Sequence, residues 1–85
     1  MKEFVYTIKD ENGIHARPAG ILVKEAAKFE CNTTIFNGEK SADAKRLFAV
    51  MGLGVKKGTQ IKMVCNGPDE ETAASTLQSF VEENL

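Results

Sequence analysis

The stretch "NGIHARPAGILVKEAAKF", residues 12–29, is where the hydrophobic pattern changes from the period of a strand to that of a helix. Before it, "FVYTI" (residues 4–8) alternates between two faces and ends at the turn-prone "KDENG", which predicts a β-strand. Beyond it, apolar residues recur at helical spacing, at Ala19, Leu22, Val23, Ala26 and Phe29. Pro18 suits a first helical turn, where a missing N–H does no harm, so we expect the helix to begin close to His15.

The rest of the chain predicts three more strands and two more helices. "CNTTIF" and "EKSAD" flank Asn37-Gly38, a dipeptide typical of a hairpin turn with positive φ at both central positions. "AKRLFAVMG" (44–52) indicates a short helix, and "TQIKMVC" (59–65) a strand that directs Ile61, Met63 and Cys65 to one face. "NGPDEE" (66–71) opens a last helix with acids near its positive end. The apolar face of that helix consists of Ala73, Ala74, Leu77, Phe80 and Val81.

The predicted order is βαββαβα. Four strands and three apolar helical stripes in 85 residues favour a mostly antiparallel sheet covered on one face by the three helices. This is an open-faced β-sandwich of the α/β (α+β) class. A chain of this length is expected to form a single domain, residues 1–85, with one small core and no deep substrate cleft.

Composition excludes several classes of function. No apolar run approaches the roughly 20 residues that span a bilayer, and no signal peptide is evident, so we expect a cytoplasmic protein without membrane insertion. The net charge of −1 hides a basic middle, since residues 15–65 hold nine Lys/Arg against four Asp/Glu. This bias suits an acidic partner protein or a phosphate group, and it is too mild to favour nucleic acid.

The chain carries no motif for a metal or a nucleotide cofactor. Cys31 and Cys65 are too few for a disulfide framework or a zinc site, so both are expected to be reduced thiols. We expect Cys65 in the core and Cys31, near the end of the first helix, to be exposed. Glycine-rich nucleotide loops and paired carboxylates for magnesium are missing from the sequence. Any phosphoryl group must therefore come from another protein.

The only histidine, His15, is the candidate nucleophile. An isolated histidine is most often a residue without a role, but here the N–H groups of a helix N-terminus and the Arg17 guanidinium lie beside it. These positive groups disfavour imidazolium, leave a lone pair for attack and stabilise a phosphoryl dianion, so the arrangement favours a phosphohistidine. Gly13 and Gly20 either let a partner approach or serve only turn geometry and helix packing.

The second helix is a candidate docking surface. Leu47, Phe48, Val50 and Met51 exceed what one helical face buries in so small a core, which leaves apolar surface beside Lys45 and Arg46. The alternative is that all four apolar side chains belong to the core.

These stretches together resemble the HPr family, the histidine-containing phosphocarriers of the bacterial phosphoenolpyruvate-dependent sugar phosphotransferase system. The resemblance covers essentially the whole chain. It rests on "GIHARPAG", on "NGEKSADAKRLFAVMGLGVKKG" and on "NGPDEETAA", and the first of these motifs is the most specific.

The resemblance implies a phosphocarrier without turnover of its own. His15 would accept a phosphoryl group through Nδ1 from phosphorylated enzyme I and pass it to enzyme IIA units of sugar permeases. Arg17 would stabilise the phosphate, together with the main chain of Ala16 and Arg17. The docking surface for both partners would consist of Leu47, Phe48, Met51, Lys24, Lys45 and Arg46. A monomer suits such a shuttle, and no cofactor or metal is expected.

One position departs from part of the family. In members from low-GC Gram-positive bacteria, the residue before the apolar pair of the second helix is a regulatory serine that a dedicated kinase phosphorylates. This chain has Arg46 there, so we expect that switch to be absent. Ser41, in a predicted strand, is a poor substitute because a serine on a strand edge is usually only solvated.

Three alternatives remain at this point. A regulatory binding module on the same fold would keep the docking surface but would not need His15 and Arg17. A small hydrolase resembling the acylphosphatases would need a phosphate cradle and an asparagine to position water, and no glycine-rich cradle occurs. A carrier could also serve a nitrogen-regulatory branch instead of sugar uptake.

Overall fold

The computed structural model describes all 85 residues, and its elements follow the order βαββαβα. The strands are β1 (Lys2–Thr7), β2 (Asn32–Asn37), β3 (Lys40–Asp43) and β4 (Gln60–Asn66). The helices are α1 (Ala16–Ala27), α2 (Leu47–Met51) and α3 (Glu70–Asn84). None of the three has the length and apolar character needed to cross a membrane. The predicted open-faced β-sandwich of the α+β class is confirmed.

All four strands form one sheet in the order β1-β4-β2-β3, and every neighbouring pair is antiparallel. The last strand along the chain, β4, therefore lies inside the sheet and pairs with β1 and β2. Its register places Met63 opposite both Phe4 and Ile35. The N-terminal strand and the β2–β3 hairpin thus meet only through β4.

The core lies between one face of the sheet and the helices. Alternation along β4 directs Ile61, Met63 and Cys65 inward, and all three are buried as predicted. The helices contribute buried residues from their predicted apolar faces, including Ala19, Leu22, Ala26, Ala73, Leu77 and Val81. Full burial of a leucine or valine side chain, as at Leu22, Leu77 and Val81, contributes about 1.5–3 kcal/mol, so this shared face holds the helices to the sheet.

The β2–β3 hairpin forms, but the predicted turn is wrong by one residue. Asn37 pairs with Lys40, so the central residues are Gly38 and Glu39. Only Gly38 has positive φ, at +62°, which meets the requirement of a type II′ turn in place of type I′. Asn37 stays in the strand because its side-chain amide donates to the Leu53 carbonyl at 2.8 Å. That acceptor comes from a distant loop, which local turn chemistry does not reveal.

The second helix is shorter than predicted, because it begins at Leu47 and not at Ala44. The Ala44 N–H donates to the carbonyl of Thr33 at 2.8 Å, which extends the contact with β2. The Arg46 N–H donates to the Asp43 carbonyl at 3.0 Å, so a turn separates β3 from α2. Hydrogen bonds to β2 and β3 therefore keep Ala44 and Arg46 outside the helix, although their residue types favour a helix.

Both cysteines are free and buried. The prediction for Cys65 is confirmed, but the expected exposure of Cys31 is wrong. The Cys31 side chain turns into the core beside Thr33, whose Oγ1 lies 3.8 Å from each of the two sulfur atoms. Burial raises the pKa of the Cys31 thiol, so it stays protonated near neutral pH.

Asp69 joins the start of α3 to the start of β2. It occupies the N-cap of α3 without capping that helix, and its carboxylate instead accepts the N–H groups of Glu30 and Cys31 at 2.8 and 2.9 Å. The hydrogen bond from Glu30 is the main reason that the pKa of Asp69 is lowered. The ionised carboxylate therefore stabilises the turn that carries the chain from α1 into the sheet.

We expect Asp69→Asn to lower the free energy of unfolding at neutral pH, because the ionised acceptor of two N–H groups is lost. The pKa of Asp69 is lower in the folded than in the unfolded chain. Its contribution is therefore complete above the ordinary Asp value of about 3.9 and is lost as the pH falls through the lower folded value. Urea unfolding at a series of pH values should give a difference between wild type and variant that shrinks in acid.

Glu71→Gln is the matched control, because Glu71 is an exposed acid at the same helix end that pairs with Lys2 at 3.5 Å. This substitution should change stability little at any pH. A difference between wild type and Asp69→Asn that stayed constant into acid would contradict the role assigned to the carboxylate.

Candidate functional site

His15 occupies the N-cap position of α1, as the sequence predicted. Its backbone is extended, with φ −106° and ψ −178°, and its side chain makes no capping hydrogen bond. The imidazole, 39% exposed, is therefore not engaged in holding the helix end. It is available to a partner molecule at the surface.

Two main-chain N–H groups beside His15, those of Ala16 and Arg17, have no acceptor within the chain. Pro18 supplies no N–H, and the Ala19 N–H already donates to the His15 carbonyl at 3.0 Å. The first turn of α1 contains no acidic residue that would neutralise the helix end. The two N–H groups and the exposed Arg17 side chain can therefore bind an anion at this point.

A carboxylate that the sequence argument missed lies at the other side of the ring. Oδ1 of Asp10 is 3.8 Å from Nε2 of His15. The expectation of a neutral imidazole took only positive neighbours into account and did not include this carboxylate. The ring borders an open depression of about 440 Å³ lined by Asp10, His15, Arg17, Pro18, Ile21 and Asn84.

The loop that carries His15 is held by the loop between α2 and β4. The N–H of the buried Ile14 donates to the Val55 carbonyl at 3.3 Å. Gly13 has φ +64° and lies so close to the Val55 main chain that a Cβ there would overlap the Val55 carbonyl oxygen. Gly13 thus serves turn geometry and close packing within the chain. A Cβ at Gly20 would meet nothing within 4 Å, so packing does not require that glycine.

The apolar residues of α2 divide between core and surface. Val50 is fully buried, Leu47 and Met51 are partly buried, and Phe48 is 84% exposed. The predicted surplus of apolar surface is therefore real, although Val50 belongs to the core. Helix α1, which packs against α2, adds Ile21 with 45% exposure.

The three cations predicted to assist docking have different environments. Lys24 and Arg46 are exposed. The side chain of Lys45 is partly buried, because its Nζ donates to the Phe29 carbonyl at 2.8 Å. Its charge is held in place next to the end of α1, whereas the other two can move toward a partner.

Comparison with known proteins gives the family. Residues 2–83 match the family model described as the phosphorylation site of the HPr component of the phosphotransferase system. The chain belongs to the HPr family. It is 40% identical over 78 residues to phosphocarrier protein HPr of Mycoplasma capricolum, and the aligned region covers 92% of this chain and 88% of that one. It is 39% identical over 83 residues to phosphocarrier protein HPr of Vibrio cholerae, and the aligned region covers 98% of each chain.

A solved structure agrees with the family assignment. The histidine-containing phosphocarrier protein from Mycoplasma superposes with a TM-score of 0.94 at 36% identity, over 96% of this chain and 93% of that one. As a member of the HPr family, this chain is a phosphocarrier of the phosphotransferase system. The alternative of a regulatory binding module is not favoured by these relatives.

Sequence reasoning missed three residues at the site of this HPr-family chain: Asp10, Ile21 and Asn84. Ile21 lies off the apolar face of α1, which was a signal available in the sequence. Asp10 and Asn84 carried none, since they line the depression beside His15 only because of how the loops and the end of α3 come together. No cluster of three or more His, Cys, Asp or Glu side chains is placed to hold a metal ion.

We expect Gly13→Ala to lower the free energy of unfolding by about 2–4 kcal/mol, because the new Cβ meets the Val55 main chain and adopts an unfavourable φ. Gly54→Ala is the matched control, with φ +65° and nothing within 4 Å of its Cβ. It should cost only the conformational part, about 1–2 kcal/mol. Urea unfolding of both variants measures the difference, and equal losses would refute the close-contact argument.

Proposed function

We propose that His15 accepts a phosphoryl group on Nδ1 and later releases it to an acceptor protein. The observation that carries this proposal is the position of the only histidine at the N-terminus of α1, beside two N–H groups without acceptors. These N–H groups, of Ala16 and Arg17, and the Arg17 guanidinium would bind the phosphoryl oxygens. Family membership supports this role, because the matching family model describes a phosphorylation site.

The donor in this proposal is phosphorylated enzyme I, and the acceptors are the enzyme IIA units of sugar permeases. Both transfer steps would take place in the cytoplasm. Donor and acceptors would dock on one surface, which we call the docking surface: Leu47, Phe48, Met51, Lys24, Lys45 and Arg46. The exposure of Phe48 supports this, because a large apolar side chain left in water is a feature of protein-binding sites. A monomer suits a carrier that presents the same surface to two partners in turn.

The carrier would have no turnover of its own. The depression beside His15 is open, and the imidazole reaches its surface, so the reacting phosphorus must be enclosed by the partner protein. A phosphohistidine formed here is an intermediate that each partner completes. The relay, and not this chain alone, would then be the catalyst.

Arg46 would make docking independent of serine phosphorylation. It is exposed at the N-cap of α2, beside Leu47, where a phosphoserine would place negative charge. A permanent positive charge attracts an acidic partner surface at all times. Because position 46 is an arginine, we propose that docking in this chain is not regulated by serine phosphorylation at that position of the docking surface.

The phosphoryl-acceptor role predicts that wild-type protein gains one phosphoryl group in intact-mass measurements with phosphoenolpyruvate and purified enzyme I. His15→Ala should gain none. The adduct should be lost in acid and survive alkali, as a phosphoramidate does. Modification of His15→Ala to the same extent, or an adduct stable in acid, would show that His15 is not the acceptor.

The docking role of Arg46 predicts slower phosphorylation of Arg46→Glu by enzyme I at low salt. We expect kcat/KM for the carrier to fall by about fivefold or more, and the deficit to shrink as salt screens the charge. Lys62→Glu is the matched control, because Lys62 lies on the exposed face of the sheet, away from the helices. A wild-type rate for Arg46→Glu at low salt would contradict the role.

A further inference from the structure

Asp10 is held in one place in the loop before α1. Its N–H donates to the main-chain oxygen of Leu85 at 2.8 Å, and its carbonyl accepts the N–H of Gly13 at 3.0 Å. Its carboxylate Oδ1 accepts the N–H of Asn12 at 2.8 Å. Because main chain and side chain are both bound, the carboxylate has little freedom to turn away from its position.

The carboxylate held in this way faces His15. Oδ1 lies 3.8 Å from Nε2, and the two side chains are 30% and 39% exposed, respectively. Glu11, the next acid along the loop, instead accepts the Nζ of Lys57 at 2.8 Å. Arg17 is the other charged residue of the depression, and its charge has the opposite sign. Asp10 is therefore the anionic group that faces Nε2.

We propose that Asp10 is a positioning residue for phosphoryl transfer, which keeps a proton on Nε2 and so leaves the lone pair on Nδ1. The inference rests on the proposed function of His15 as phosphoryl acceptor. A neutral imidazole carries its proton on one nitrogen, and the partner of that nitrogen decides which one. An ionised carboxylate accepts hydrogen bonds and donates none, so beside Nε2 it favours the tautomer with Nδ1 unprotonated.

The same carboxylate stabilises the charge that develops during transfer. The Nδ1 lone pair forms a bond to phosphorus while the bond from phosphorus to the donor breaks, and the donor keeps that electron pair. The proton stays on Nε2, so the ring becomes a cation that carries the phosphoryl group. The contact of 3.8 Å is longer than a hydrogen bond, and the attraction across it becomes stronger as the ring becomes positive. The carboxylate thus interacts more strongly with the transition state than with the ground state, which raises the rate.

Asp10 and Arg17 act on opposite ends of the developing charge. The Arg17 guanidinium and the helix N–H groups stabilise the negative phosphoryl oxygens, and Asp10 stabilises the positive ring. A ring held between the two keeps its orientation when the partner changes from donor to acceptor. This division of roles requires Asp10 to be ionised and close to Nε2.

Asp10→Asn tests the proposal, because an amide oxygen can still accept the Asn12 N–H while the charge is lost. Glu11→Gln is the matched control, since it removes one negative charge from the adjacent residue, whose partner is Lys57. Both variants and wild type are phosphorylated by purified enzyme I with phosphoenolpyruvate over a range of carrier concentrations. We expect Asp10→Asn to lower kcat about tenfold with KM unchanged, and Glu11→Gln to stay within about twofold of wild type.

A second readout reports the proton directly. His15 is the only histidine, so ¹⁵N-labelled protein gives one pair of ring nitrogen signals. At alkaline pH, where the ring is neutral, the two ¹⁵N shifts give the fraction of each tautomer. Wild type and Glu11→Gln should carry the proton on Nε2 in the same high fraction, and this fraction should be measurably lower in Asp10→Asn.

The outcomes separate this proposal from the proposed function. A wild-type kcat for Asp10→Asn, or a slow variant with the wild-type tautomer ratio, overturns the positioning role while His15 remains the acceptor. A wild-type protein that enzyme I does not phosphorylate overturns the proposed function instead. If circular dichroism shows that Asp10→Asn is unfolded, Asp10→Ser replaces it in both measurements, because its hydroxyl can also accept the Asn12 N–H.

Discussion

The close approach of Gly13 to the main chain of Val55 is the contact on which the site depends. It makes the chain turn sharply after β1, so that Ile14 enters the core while His15 stays at the surface as the N-cap of α1. The loop of Val55 leads into β4, the strand that joins the two parts of the sheet. The position of the imidazole is therefore coupled to the sheet, and a side chain at Gly13 would separate the two loops.

The site combines charges of both signs within a small, open space. Helix N–H groups and Arg17 lie beside the ring, where we propose that a phosphoryl group binds, and Asp10 lies at the Nε2 nitrogen of the ring. Such an arrangement needs no enclosed cleft, which a chain of 85 residues has little volume to build. An exposed histidine with charges of both signs around it suits the proposed carrier role, because each partner would have to reach the same atom.

Helix α2 combines a local cost in stability with an exposed apolar surface. Five residues are too few for a helix that is stable alone, so α2 depends on burial of Val50 and on packing against α1 and β3. Arg46 at its N-cap makes no side-chain cap and adds positive charge to the positive helix end. Phe48 lies in water. A docking role for this surface would explain why a short helix with an uncapped N-terminus and an exposed phenylalanine occurs here.

Hydrophobic periodicity was sufficient to predict the order of elements, the inward face of β4 and the apolar faces of α1 and α3. Local residue types were sufficient to place His15 at a helix start beside Arg17, because capping and first-turn preferences act over a few residues. The HPr-family motifs then indicated the function. These features depend on neighbours along the chain or on a repeating pattern, which one sequence contains in full.

Tertiary structure decided the features that depend on contacts between distant segments. Asn37 stays in a strand because its side chain donates to the Leu53 carbonyl, and Cys31 turns inward toward Thr33. Helix α2 begins later than predicted because Ala44 donates to the carbonyl of Thr33 in β2. The same holds for the site, where Asp10 reaches His15 only because the loop path is set by its contacts with Val55 and Leu85. Such contacts follow from the packing of loops and helix ends in three dimensions, and they leave no period or motif in the sequence from which they could be predicted.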